Sequence, residues 1–290
     1  MPSSGLPLKR QERRVTRYAD IQIAGAGGYS AGMEINLLVI DVGNTRAAVG
    51  AFLRGELVEV NRAPLERRGE LQAALASAWR RFAGEPAAVV GATVNPPATE
   101  MIEHLVEQVC GGEVLWVGRN IDLPIAVRTE EPGLTGVDRV LNIAAAHQQL
   151  GGACVVVDAG TALTVDVCND DGEFLGGSIG PGAGIMLEAL HQRTAKLPAV
   201  KLRVPTGAIG KSTEEAILHG VYHGIRGAVK ELVEGYATEL GHWPEVIATG
   251  GDAKVLFEGW ELVHAVAPDL TLYGIALAYA NHHLEHDGEA

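Results

Sequence analysis

Cysteine is scarce in this 290-residue chain. There are three, Cys110, Cys154 and Cys168, with no CxxC pair. An odd set without paired spacing does not make a disulfide framework and suits a reducing compartment. Cys154 and Cys168 sit in apolar, strand-like runs, where core packing is the expected role. No apolar run approaches the roughly 18 residues that span a bilayer, so no membrane helix is expected. Positive charge is also short, with 23 Lys and Arg against 36 Asp and Glu and a net charge of −13. A field of that sign argues against nucleic acid or an anionic membrane as the main partner. It leaves phosphate ligands open, because backbone N–H groups hold phosphate without basic side chains.

Glycine is abundant, at 37 residues, so sharp turns and close backbone approaches are expected. Hydrophobic residues make up 47% and charged residues 20%, which is ordinary globular composition. The length suffices for two medium domains with ample cores. The first 34 residues read differently, with Lys9, Arg10, Arg13, Arg14 and Arg17 clustered there. No apolar stretch follows Arg13-Arg14 to make an export signal, so residues 1–34 read as a disordered extension. Met33, just before the first strong strand, is a candidate start, and a chain beginning there is expected to fold and keep its activity.

Beyond that point the pattern is built twice. Asn36–Val42 is an apolar strand closed by a Gly-Asn turn, followed by strands at 46–53 and 57–61. Helices at 70–82 and 97–109, strands at 87–92 and 114–117, and a helix over 137–150 complete a first lobe, residues 35–150. Strands at 154–157, 163–168 and 174–179 then restart the order. Helices at 185–192 and 213–240, strands at 246–248 and 262–265, and a helix at 270–283 complete a second lobe, residues 151–284. The turn motifs Asp41-Val42-Gly43 and Asp158-Ala159-Gly160 lie 117 residues apart. Such a duplication is sharper than either motif alone, and two related α/β lobes are expected to leave a ligand cleft.

Several motifs carry chemistry. In Asp41-Val42-Gly43-Asn44-Thr45 the N–H groups of the turn and the Thr45 hydroxyl suit phosphate oxygens. Asp41 suits Mg²⁺ or its water shell, since hard cations take oxygen ligands. Asp158 to Thr164 repeats this physics. Gly176 to Gly182 leads into a helix start, and Thr249-Gly250-Gly251-Asp252 offers bare backbone to a flat adenosine. Gly136-Val137-Asp138-Arg139 opens a helix. There a carboxylate is placed to accept a hydroxyl proton and a guanidinium to bind an acidic substrate. Arg139 is expected to favour the ionised form of Asp138.

Two decoys are set aside. Gly210-Lys211-Ser212-Thr213 mimics the end of a Walker A loop, but Pro205 occupies the position of its first glycine. With Glu214 and Glu215 it reads as a helix start. His219 and His223 are spaced to share a helix face, but no third metal ligand is evident.

The stretches IDVGNTR (40–46), GVDRVLN (136–142), VVDAGTALTVD (156–166), GGSIGPG (176–182), RTAKLP (193–198), GKSTEEAILHGV (210–221) and ATGGDA (248–253) together resemble the type III pantothenate kinases. That resemblance implies an α/β fold, the duplicated actin-like ATPase (ribonuclease H-like) architecture of two lobes with mixed sheets and a central nucleotide cleft. It implies ATP-dependent phosphorylation of pantothenate in the cytoplasm, with ATP, Mg²⁺ and a monovalent cation, K⁺ or NH₄⁺. It also implies a homodimer with active sites near its interface. Carried over by position, Asp41, Val42, Gly43, Asn44, Thr45, Arg46, Ala47 and Ala48 form the first phosphate loop. Gly136, Val137, Asp138 and Arg139 bind pantothenate, with Asp138 as proton acceptor. Asp158 holds the monovalent cation, Thr161 contacts ATP and Thr213 contacts pantothenate.

The chain departs from the family pattern twice. Ala48 stands where many members carry Lys, with Arg46 as the expected substitute, and Thr129 stands where many carry Tyr in the substrate pocket. Two alternatives remain: a kinase of the same fold acting on another small alcohol or carboxylate, and a catalytically silent nucleotide-binding regulator.

Overall fold

The structure, a computed structural model, describes residues 36–287. The basic extension and Met33 lie outside the described residues. The chain divides into two units.

The first unit runs to Gly151 and takes in Gly172–Gly176 and the chain from Asp269 onward. Its sheet comprises β1 (Asn36–Val42), β2 (Arg46–Leu53), β3 (Glu56–Pro64), β4 (Ala87–Thr93) and β5 (Leu115–Trp116), in the order β3-β2-β1-β4-β5. β1, β2 and β3 pair antiparallel, and β4 and β5 run parallel to β1. β1 is buried on both faces, which is why it reads as one apolar run. One face packs under α1 (Arg68–Trp79) and α2 (Pro96–Cys110), through Leu38, Ile40, Leu71, Leu75 and Ile102. The other, through Leu37, Val39, Val90 and Ala92, packs with α3 (Val137–Leu150) and with a C-terminal helix.

The second unit holds 152–171 and 177–268. Its strands are β6 (Cys154–Ala159), β7 (Ala162–Cys168), β8 (Phe174–Pro181), β9 (Glu245–Thr249) and β10 (Ala265–Val266), β8 beginning on first-unit residues. Read from β8, their order is β8-β7-β6-β9-β10, the same path as in the first sheet. Here too the first two strands are antiparallel, and β6, β9 and β10 are parallel. This repeated mixed sheet is the duplicated actin-like architecture expected from sequence. α4 (Ala183–Gln192), α5 (Thr213–Leu240) and the short α6 (Ala253–Phe257) cover the face bearing Val155, Val157, Val165 and Val246.

Chain order misplaces one element. α7 (Leu270–Asp287), read from sequence as the close of the second lobe, belongs to the first unit. Leu272, Ile275 and Ala278 are buried there against Leu37, Val39 and Leu141. A Cβ on Gly274 would stand 2.3 Å from the Leu141 carbonyl oxygen, so glycine lets α7 close on α3. Truncating a buried Leu or Ile at this seam typically costs about 2–5 kcal/mol.

Candidate active site

The turn expected to meet phosphate joins β1 to β2. Asp41 is partly buried at the strand end, and Asn44, Thr45 and Arg46 are exposed. Gly43 N–H does not face outward as expected, because it donates to the Arg46 carbonyl at 3.0 Å and closes the turn. The side chain of Asn95 reaches the Asn44 carbonyl at 3.3 Å and steadies the loop from β4's end. Asp41 is paired in register with Ala48, and Ala48 with Arg62 on β3, so all three share one face of the sheet. Arg62 forms an ion pair with Asp269 just before α7. Arg46, the expected stand-in for the missing Lys, stands opposite Pro64 at the start of β2, two residues from Ala48 and on the same face.

Asp138 sits in the first turn of α3, whose N-cap is Gly136. Its Oδ1 accepts the Arg139 N–H at 2.8 Å. A Cβ on Gly136 would come within 2.7 Å of that Oδ1, so only glycine there leaves the carboxylate its place. Val137, beside Asp138, and Ala48, opposite Asp41, pack against the same apolar cluster. Burial raises the Asp138 pKa above its ordinary value. The Arg139 N–H and guanidinium charge pull it down by less. The expectation that Arg139 sets the sign is therefore corrected: desolvation wins. The Arg139 guanidinium lies over the Phe174 ring, 5.5 Å from its centroid. Thr129 and Thr135 share a hydroxyl–hydroxyl hydrogen bond of 2.9 Å just before Gly136.

In the second unit, Asp158 ends on β6 directly across from Thr164 on β7. Gly250 holds φ +94°, and a Cβ there would stand 2.4 Å from Asp158 Oδ1 and 2.6 Å from the Ala159 carbonyl carbon. The TGG turn thus carries glycine both for its backbone angle and for the carboxylate packed against it. The Thr164 hydroxyl oxygen is buried with no hydrogen-bond partner among the described residues. A carboxylate beside an unsatisfied hydroxyl is an oxygen donor set that fits a hard cation. The second loop repeats the first loop's closure, with Gly160 N–H donating to the Ala162 carbonyl at 3.0 Å. Thr161 is exposed, and its carbonyl accepts the Gly182 N–H at 3.1 Å.

Thr213 opens α5. Its neighbour Ser212 is the N-cap, accepting the Glu215 N–H, as the helix-start reading requires. Thr213 lines a cavity of about 830 Å³ together with Ile185, Met186, Leu190, Arg193 and Leu197. Neither Asp158 nor the Gly136–Arg139 turn lines it. The rings of His219 and His223 stack at 5.4 Å. Sequence reading missed Arg62 and Thr135, and took Thr164 only as the last residue of the second turn motif. Only strand pairing across Ala48 from Asp41 signals Arg62.

A family profile described as type III pantothenate kinase matches residues 37–235. Among relatives, the type III pantothenate kinase of Thermomicrobium roseum is 37% identical over 254 residues, covering 85% of this chain and 98% of that protein. That of Dehalococcoides mccartyi strain CBDB1 is 36% identical over 250 residues, covering 84% and 95%. A solved structure from Campylobacter jejuni, described as a Baf family transcriptional activator, aligns with a TM-score of 0.55 at 20% identity. It covers 87% of this chain and all of that one, and the likeness is one of fold. The chain belongs to the type III pantothenate kinase family.

Proposed function

We propose that this chain transfers the γ-phosphoryl group of ATP to pantothenate, giving 4′-phosphopantothenate for coenzyme A synthesis. Family membership across both units supports the activity. The observation that carries the mechanism is the Asp138 carboxylate, seated at a helix start by Gly136 and flanked by Arg139. The carboxylate takes the substrate's primary hydroxyl proton and aims the oxygen at the γ-phosphorus. A raised pKa brings this base nearer neutrality, where a general base works best. Arg139 holds the substrate carboxylate. The loop Asp41–Ala48 and Thr161 hold the nucleotide phosphates, Thr213 meets the substrate, and Thr129 with Thr135 forms one wall of its site. Asp41 suits Mg²⁺, and Asp158 with Thr164 suits a monovalent cation. When bound, these ions supply positive charge beside the phosphates.

Working as a homodimer in the cytoplasm also belongs to this reading. No described helix is long and apolar enough to cross a membrane. Ile185 and Leu190, in the wall of the second unit's cavity, are 43% and 36% exposed, as a face shared between two copies would be.

Coupled ADP release with pantothenate, in K⁺ and then in choline, tests the proposal. Turnover should depend on pantothenate and fall sharply without K⁺. Equal rates in both salts would remove the cation role alone. A second reading, a kinase for another small hydroxy acid, is favoured by the small Thr129 side chain. Turnover with such an acid and none with pantothenate would select it. ATP binding without turnover on any acid would mark a silent regulator.

A further inference from the structure

We propose that Cys154 and Cys168 are a modification site, closing to an intramolecular disulfide when the chain meets a peroxide. Cys154 opens β6 and Cys168 ends β7. Val155 pairs with Val167 in antiparallel register, so the two cysteines stand opposite one another one residue further on. Their sulfurs are 3.4 Å apart, and a disulfide needs about 2.05 Å. Side-chain rotation supplies most of that approach. Cβ atoms of directly opposed residues are about 4.5–5.5 Å apart, against about 3.5–4.5 Å in ordinary disulfides. A thiol reductant breaks such a bond by exchange through a mixed disulfide. The modification is accordingly reversible by thiols.

The reaction needs access, because both side chains are buried. The pair lies at the end of the β6–β7 hairpin, away from its tight turn and from Asp158. Contacts close this end. The Asp170 carboxylate accepts the Ala153 N–H at 3.0 Å and meets His242 Nε2 at 3.1 Å. Asp170 and His242 are exposed side chains, and local opening at this end of β6 and β7, where Cys154 also pairs with Glu245 on β9, is the access the proposal requires.

The neighbours assign the roles. The Cys154 thiol, hydrogen-bonded to Cys168 and buried, is held well above the ordinary range, while that same hydrogen bond draws Cys168 down. Cys168 ends β7 next to the exposed Asp170 turn, while Cys154 lies on β6 between two paired strands, so Cys168 is taken as the attacking thiolate. Its sulfur takes one peroxide oxygen, giving sulfenic acid as the O–O bond breaks and the second oxygen leaves as water. Cys154 sulfur then attacks the sulfenic sulfur. The S–S bond forms, the S–O bond breaks, and a second water leaves carrying the Cys154 proton. Two thiols and one peroxide give one disulfide and two waters. Cys110, pushed up to about 11 by burial, is the poorer nucleophile. On β6, Cys154, Val156 and Asp158 alternate onto one face, so the link stiffens the strand that positions Asp158.

The test uses the whole chain carrying Cys110→Ala, treated with hydrogen peroxide and then alkylated after denaturation. Cleavage before Asp158 and Asp166 puts the two cysteines on separate peptides. Those peptides should stay joined until a thiol reductant is added, with neither cysteine alkylated. The same peptide map on the unsubstituted chain frees the result from any effect of the substitution. Two alkylated cysteines after oxidation, or Cys168 sulfinic acid with no joined peptides, would overturn the proposal. The readout does not depend on kinase activity, so it stands or falls apart from the proposed function.

Discussion

Asp138 is pulled two ways, and the balance has measurable signs. Desolvation raises its pKa, while the Arg139 N–H and charge lower it by less. The native chain then holds the proton more tightly than the unfolded chain does. Ionised Asp138 therefore costs stability as pH rises past an ordinary Asp pKa, and that cost is absent at lower pH. Asp138→Asn removes the base and also removes this cost. It should lower kcat by roughly 10²–10⁴, the usual range for losing a general base. Its Tm at neutral pH should be no lower than that of the parent, and any gain should vanish in acid. In the parent, kcat should fall in acid with an inflection above the ordinary Asp range. A variant keeping more than about a tenth of kcat would remove Asp138 from the role. Arg139→Ala should chiefly raise KM for pantothenate, because its proposed role is to hold the substrate carboxylate.

At the scale of elements, β3 carries two charged anchors. Register sets Arg62 across Ala48 from Asp41, on the sheet face proposed to meet the nucleotide phosphates. A charge-assisted hydrogen bond contributes about 1.5–3 kcal/mol, so Arg62→Ala should raise KM for ATP roughly 10- to 100-fold. Adding Ala48→Lys to that variant should recover much of the loss. If Arg62 serves only to tie Asp269 and α7 to the sheet, Tm will fall while KM for ATP stays unchanged.

The second anchor is Glu59, which accepts hydrogen bonds from Ser77 of α1 and from Asn61, both at 2.6 Å, and pairs with Arg81. The Ser77 hydroxyl, then Arg81, lowers its pKa from 4.5 to about 2. A depressed carboxyl stabilises the fold above the unfolded value, and that stabilisation is lost as pH falls through the folded one. The Tm gap between the parent and Glu59→Gln should hold at neutral pH and close between about 4.5 and about 2. A gap unchanged across that window would show that the α1 contact does not rest on the charge.

For the whole molecule, pairing of two copies is the property to measure. Light scattering after size exclusion should give twice the mass of one chain, and Ile185→Glu should shift it toward one. A single-chain mass at every concentration would remove the shared face from the proposed function. The duplication itself was legible from residue order, because buried strands and their closing turns are local. A run such as Asn36–Val42 ending at Gly43 needs no distant partner to be recognised. Gly136, Asp138 and Ser212 were legible for the same reason, since a helix start is written within one turn of chain.

What sequence determined here is the set of strands and turns, their repetition, and the family, all encoded in short spacings. What only the tertiary structure decided is allegiance and sign. α7 follows the second unit in the chain but joins the first, because its apolar side chains meet β1 and α3 there. Arg62 reaches the Ala48 face through strand register, which links residues far apart in sequence. The Cys154–Cys168 pair exists only because two strands align. The direction of the Asp138 shift depends on how much water its neighbours exclude. Local spacing cannot state that, because burial is a property of the packed chain.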